Sequence, residues 1–275
     1  HRIHKSLRTR LDSAPSQFDV RIFRQLAVSP NGELVFRALG KLWRQDLAGQ
    51  RAPQRLTKSV QAESEPAWSP DGRQLAYVEW NDETGSSLKL RAASGKEKVI
   101  AHSRGVIRQP QFSHDGRRVA YRIMERDGAM GGAADRAGIY LVNVDGTGAK
   151  FLTEGSGLAQ FSPDDKRIYF FGSPDFYGRK AVLLRSIGVD GKEARDQAYA
   201  ETADTGDFVL SPDGKWLAFK EFNQLYVMPY KESDSPFAVT AVGNKEARRL
   251  TVTDGFELVW APDSSKMLWM LGRDL

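Results

Sequence analysis

The chain has 275 residues, with 40 Lys plus Arg against 35 Asp plus Glu, a formal net charge of +5 and no cysteine. With 40% hydrophobic and 27% charged side chains, it holds enough apolar material for one large domain or two small ones and is neither disordered nor fibrous. The missing cysteine excludes disulfides, thiolate metal ligands and a cysteine nucleophile. No run of 18 apolar residues occurs, so no membrane-inserted helix is expected, and acids interleaved with the bases argue against nucleic acid as a partner.

The chain opens on His1, not Met, and no secretory signal follows, so it reads as an excised piece or a processed chain. Arg2, Lys5, Arg8 and Arg10 lack acidic neighbours, the pattern of a solvated face. Ile3, Lys5, Leu7, Thr9 and Leu11 alternate with Arg2, His4, Ser6, Arg8 and Arg10, a strand-like period. Residues 1–17 are therefore either a ring-closing strand or a frayed tail.

From residue 18 on, one block recurs. It reads Val28-Ser29-Pro30-Asn31-Gly32, Trp68-Ser69-Pro70-Asp71-Gly72, Phe112-Ser113-His114-Asp115-Gly116, Phe161-Ser162-Pro163-Asp164-Asp165, Leu210-Ser211-Pro212-Asp213-Gly214 and Trp260-Ala261-Pro262-Asp263-Ser264. The spacings are 40, 44, 49, 49 and 50 residues, a propeller or solenoid period. Proline presets φ, Asp or Asn suits the next position, and Gly tolerates positive φ, so each block is a turn. An apolar residue precedes it and a β-rich run follows, such as Leu75-Ala76-Tyr77 or Leu217-Ala218-Phe219, which makes a hairpin. Third strands (Leu42 to Leu47, Ile139 to Val144, Leu225 to Met228) and fourth strands (ending at Thr57, Thr153 and Thr251) complete the units.

Four antiparallel strands per unit predict an all-β, six-bladed β-propeller. Its blades fall at about 18–58, 59–102, 103–154, 155–202, 203–252 and 253–275. The last blade is incomplete or is closed by the N-terminal segment.

Alternating strand direction puts the Ser-Pro-Asp-Gly turns on one face. Second-to-third loops and blade-to-blade connections share the other, here called the mouth face. The loops there are uneven: Gly40 in blade one, Trp80 to Ser87 in blade two, Met124 to Gly138 in blade three, Gly172 to Lys180 in blade four. Uneven loops on a rigid scaffold favour binding. Trp80, Asp82, Arg126, Asp127, Arg136, Phe176 and Tyr177 are the interaction candidates; the charged loop is either a clamp or a solvated insertion, and the aromatic pair either an anchor or folded back. Segments entering the first strands bring Arg21, Glu63, Glu65, Arg108, Asp204, Asp207, Asp254 and Glu257 to the channel mouth. Such a ring either binds a small polar ligand or a divalent ion, or keeps the channel wet.

No catalytic constellation emerges. His1, His4, His102 and His114 form no metal-ligand pattern, and no Gly-x-Ser-x-Gly elbow is present. No catalytic residue, metal or cofactor is expected in this chain.

Trp68 to Tyr77 resembles the repeat of the TolB-type (WD40-like) propellers, shared by TolB, the tricorn protease propellers and prolyl-oligopeptidase-like peptidases. Phe18 to Arg24, Ala38 to Trp43, Trp80 to Glu83 and Leu258 to Gly272 resemble the propeller portion of a bacterial exported amidohydrolase family. That resemblance implies a periplasmic or secreted, non-catalytic module acting in substrate access or docking. Its partner would be a catalytic domain of the same polypeptide or another protein. The resemblance implies a divalent metal only in an amidohydrolase domain, whose ligands have no counterpart in this sequence. The alternatives are a stand-alone TolB-like adaptor and the gating propeller of a serine peptidase.

Overall fold

The computed structural model describes residues 20, 22–124, 136–172, 182–200, 202, 204–233 and 235–271, and the backbone of 175–176 and 179–180. The 2–11 segment, with its proposed closing role, lies outside the described residues.

Repeat one forms β1 (Arg24–Val28), β2 (Glu33–Ala38), β3 (Lys41–Asp46) and β4 (Gln54–Arg55). Repeat two forms β5 (Ala62–Trp68), β6 (Gln74–Asn81), β7 (Gly85–Ala92) and β8 (Glu97–Ser103). Repeat three forms β9 (Val106–Phe112), β10 (Arg118–Met124), β11 (Gly138–Asn143) and β12 (Lys150–Thr153). Repeat four has β13 (Ser156–Phe161), β14 (Arg167–Gly172), a small hairpin of β15 (Asp175–Phe176) and β16 (Arg179–Lys180), then β17 (Leu183–Gly188) and β18 (Arg195–Ala200). Repeat five has β19 (Thr205–Leu210), β20 (Trp216–Glu221), β21 (Gln224–Pro229), β22 (Phe237–Val239) and β23 (Arg248–Arg249); β24 (Phe256–Trp260) and β25 (Met267–Met270) close the order.

Among the described residues each of the first five repeats makes one sheet in meander order, so they form an all-β propeller of five blades, each built on four antiparallel strands. The expectation of six is corrected. The sixth repeat contributes a two-stranded hairpin, β24–β25, which packs Met270, Val259 and Leu268 against Leu26 and Phe36 of blade one. On its other side the Trp260 indole N–H donates to the Val209 carbonyl of blade five at 3.2 Å. A second departure is β22, which leaves repeat five to pair parallel with β18 of blade four. The buried Glu221 carboxylate fixes the end of this strap, accepting from the Thr240 hydroxyl at 2.9 Å and the Ala241 N–H at 2.6 Å.

Second strands are covered on both faces by neighbouring blades, which is why each carries a short apolar run without alternation, such as Leu34-Val35-Phe36 or Val119-Ala120-Tyr121. Phe36, Tyr77, Tyr121, Phe170 and Phe219 occupy the same place in successive blades and are buried. Their counterpart in the hairpin, Trp269, is only partly covered.

The repeated turns have one hydrogen-bond plan. In blade two the Ser69 hydroxyl donates to Asp71 at 2.6 Å and accepts from the Gln74 N–H at 2.9 Å, while Gly72 N–H closes the turn on the Ser69 carbonyl at 2.9 Å. Ser113, Ser162 and Ser211 repeat it. The Ser69 hydroxyl holds Asp71 below the usual carboxylate range, as Ser162 does Asp164 and Ser211 does Asp213. The loop expected from Trp80 to Ser87 is corrected to a tight turn. β6 and β7 stay paired to Asn81 opposite Gly85, and the Trp80 indole donates to Asp82 at 2.7 Å.

Candidate functional site

The first strands β1, β5, β9, β13, β19 and β24 line the central channel, and each is interrupted near the mouth by a one- or two-residue bulge. The bulge residue has positive φ in every repeat: Gln25 (57°), Glu65 (57°), Gln109 (52°), Gly157 (73°), Asp207 (52°) and Glu257 (54°). A bulge adds a residue to one strand only, re-aims its side chain and recurs at functional rims. Non-glycine residues rarely hold this conformation, so five of them at one structural position make a strained collar that its surroundings must hold in place.

Hydrogen bonds between successive bulges supply that hold. The Glu257 carboxylate accepts from the Gln25 N–H. Gln25 Oε1 accepts from the Glu65 N–H at 3.1 Å, while its Nε2 donates to Glu65 Oε1 at 2.6 Å. Glu65 Oε2 accepts from the Gln109 N–H at 3.1 Å. The relay runs from repeat six through repeats one and two to three. At repeat four the bulge residue is Gly157, and the Phe171 ring fills the space a Cβ would need.

Arginines surround the collar. Arg108 pairs with Glu65, and Arg24 lies 3.8 Å from Glu257. Cross-strand register sets Arg37 opposite Arg24 and Arg122 opposite Arg108. Burial pushes both carboxyl groups above the usual range: Glu65 although Arg108 and the Gln109 N–H pull the other way, Glu257 against the Gln25 N–H and Arg24.

Of the channel-mouth candidates, the structure brings Glu65, Arg108 and Glu257 together. Asp207 takes the matching bulge position in repeat five and is exposed. Asp254 lies 3.6 Å from Lys220, and Asp204 is exposed. Glu63 is fully buried and ties blade two to blade one, accepting from the Leu42 N–H at 3.1 Å and the Thr57 hydroxyl. Arg136 covers the Phe151 ring at 3.9 Å and pairs with Glu154 at 3.0 Å. Arg21, Arg126, Asp127, Tyr177 and the Phe176 side chain lie outside the described residues. Gln25 and Gln109 escaped the sequence reading because they carry no charge. The signal was a polar residue four positions before the turn Ser or Ala, present in every repeat except the fourth.

Toward the turn face the channel holds a cavity of about 240 Å³. Its lining includes Val28, Trp68, Phe112, Phe161, Leu210 and Trp260, the apolar residue preceding each turn. The channel is thus polar at one end and aromatic at the other. Among the described residues no group of His, Asp and Glu is placed to hold a metal ion.

The TolB beta propeller domain model matches residues 11–228. The chain belongs to this family. Among TolB propeller relatives, TolB of Francisella tularensis subsp. mediasiatica is 28% identical over 56% of this chain and 34% of its own length. The uncharacterized peptidase YuxL of Bacillus subtilis is 28% identical over 57% of this chain and 29% of its own. The match thus spans about a third of these curated relatives. A putative TolB from Agrobacterium tumefaciens superposes with a TM-score of 0.63 at 20% identity, covering 91% of each chain. An oligogalacturonate lyase in complex with manganese gives 0.62 at 16% identity, covering 92% of this chain and 74% of its own. These two show the fold.

Proposed function

We propose that this chain is the non-catalytic propeller module of a larger exported amidohydrolase-like protein, periplasmic or secreted, and that it docks the catalytic domain or governs substrate access through its mouth face. The observation that carries this reading is where apolar surface is left uncovered. Leu39, Val60, Phe222, Val252, Phe256 and Leu271 are exposed large hydrophobics on loops or strand ends of the mouth face, in repeats one, two, five and six, against Leu47, Val99 and Trp216 exposed elsewhere. Exposed apolar side chains gathered on one face beside a polar rim are the material of an interaction site. Any divalent metal would belong to the catalytic domain.

The test is the size of the native protein, by blotting source cells with an antibody against this chain. A species much larger than 30.7 kDa that co-purifies with metal-dependent amidohydrolase activity is the expected result. A mature species near 30.7 kDa would overturn it. The similarity to TolB favours a second reading, a stand-alone adaptor for protein partners. That reading predicts the small species and a partner recovered reproducibly from envelope extracts. The similarity to a peptidase favours a gating propeller, which predicts the large species with serine peptidase activity instead.

A further inference from the structure

The mouth collar holds more positive charge than its own carboxylates balance. Arg24, Arg37, Arg108 and Arg122, four cations, share it with three carboxylates: Glu65, Glu257 and, at the exposed bulge of repeat five, Asp207. Arg24 is in range of Glu257 and Arg108 is paired with Glu65, so these two carboxylates are committed. They are committed further to backbone N–H groups of the relay. Arg37 and Arg122 feel these carboxylates only through space, with no direct ion pair among the described residues. Each has a buried Nε–H that finds no acceptor among the described residues. A buried donor left unpaired costs about 1–3 kcal/mol, more when it is charged, and natural structures seldom leave one without a ligand, an ion or an ordered water to accept.

The position of these two side chains has no structural necessity. They occupy the place after the buried aromatic of the second strand, Phe36 and Tyr121. Repeat two fills that place with the buried Val78, so the fold accepts an apolar residue there. Arg122 is also under electrostatic stress: burial, then the like charge of Arg108, lowers its affinity for a proton, and Glu65 offsets this only in part. A guanidinium does not deprotonate in a protein, so an added negative charge is what would relieve that stress. A guanidinium fork binds carboxylate or phosphate oxygens with charge-assisted hydrogen bonds.

We infer that the channel mouth is a binding site for an oxyanion, the carboxylate or phosphate group of a small ligand, with Arg37 and Arg122 supplying its unpaired charge. The inference concerns the chain alone and holds whether or not a catalytic domain is attached.

Isothermal titration of the full chain with inorganic phosphate and, separately, with glutarate tests it, chloride keeping ionic strength constant. Saturable binding of at least one probe is expected, and the tighter of the two tells phosphate from carboxylate. Arg37→Gln and Arg122→Gln should each weaken it about tenfold or more, the equivalent of ~1.4 kcal/mol. Arg91→Gln, on a residue paired with Glu97 in blade two, should leave it unchanged. If an arginine variant does not fold, protection of the unmodified chain's Arg37 and Arg122 from phenylglyoxal by the bound probe decides in its place. Absence of binding by both probes, binding unchanged in the double variant, or no protection would overturn the assignment.

Discussion

His114 stands where the other five repeats have proline, and Asp165 stands where most have glycine. The structure brings these two exceptions together. Asp165 holds φ at 57°, a conformation Asp tolerates better than most residues, and its carboxylate accepts from the N–H groups of His114 and Asp115, both at 2.8 Å. His114 Nδ1 lies 2.8 Å from the same carboxylate, and Nε2 lies 3.1 Å from the Pro212 carbonyl of blade five. Proline at 114 would remove both the backbone N–H and the imidazole contact, leaving only the Asp115 N–H, and glycine at 165 would remove the acceptor. In blade five the standard residues meet instead, Gly214 against the Pro163 ring. His114→Pro and Asp165→Gly should therefore each destabilise the chain, and the double change, which restores the standard turn contact, should cost less than their sum. Urea unfolding of the four proteins should give a coupling energy of about 0.5–3 kcal/mol. An additive cycle would show that the two exceptions are unrelated.

At the scale of the element, the bulged first strand carries the chemistry, and its carboxylates carry a pH signature. Burial raises the Glu65 carboxyl above its ordinary 4.5. A carboxyl raised in the folded state costs nothing below that ordinary value, where folded and unfolded chains are both protonated. The cost grows as pH rises through the folded value. The stability of the native chain relative to Glu65→Gln should thus improve as pH falls from neutral toward 4.5. Subtracting one unfolding series from the other cancels the remaining carboxylates, including those of the turns, which are lowered and act in the opposite sense. A difference that does not move with pH would refute the burial of that charge.

The sequence made the hairpins legible because turn chemistry is local: Ser, Pro, Asp and Gly sit within five residues and bond to one another. It also marked Glu65, Arg108 and Glu257, since charge at a strand entrance is visible in one dimension. Arg37 and Arg122 were not legible as site residues. They lie inside second strands, and only cross-strand register sets them opposite Arg24 and Arg108. The borrowing of β22 by blade four was hidden for the same reason, because a three-residue parallel pairing leaves no local pattern.

For the whole molecule the weak point is the junction of repeats six and one, where among the described residues a two-stranded hairpin stands in for a blade. On the turn face nothing lies within 4 Å of the place a Gly32 Cβ would take, whereas the corresponding glycines Gly72 and Gly214 rest on Pro30 and Pro163. Closure there depends on the apolar contacts of Met270, Val259 and Leu268 with blade one, and at the mouth on Glu257 reaching the Gln25 N–H and Arg24. Glu257→Ala removes the polar half of that seam. It should lower stability by about 1 kcal/mol, the low end of the cost of leaving a donor, here part-buried, without its charged acceptor. The location of the effect is more telling than its size. Amide exchange at Gln25 should accelerate, while the Gln109 amide, held two blades away by Glu65, should keep its protection, because a seam that opens locally exposes only its own hydrogen bonds. Equal acceleration at both amides would mean that the collar acts as one cooperative ring with no seam.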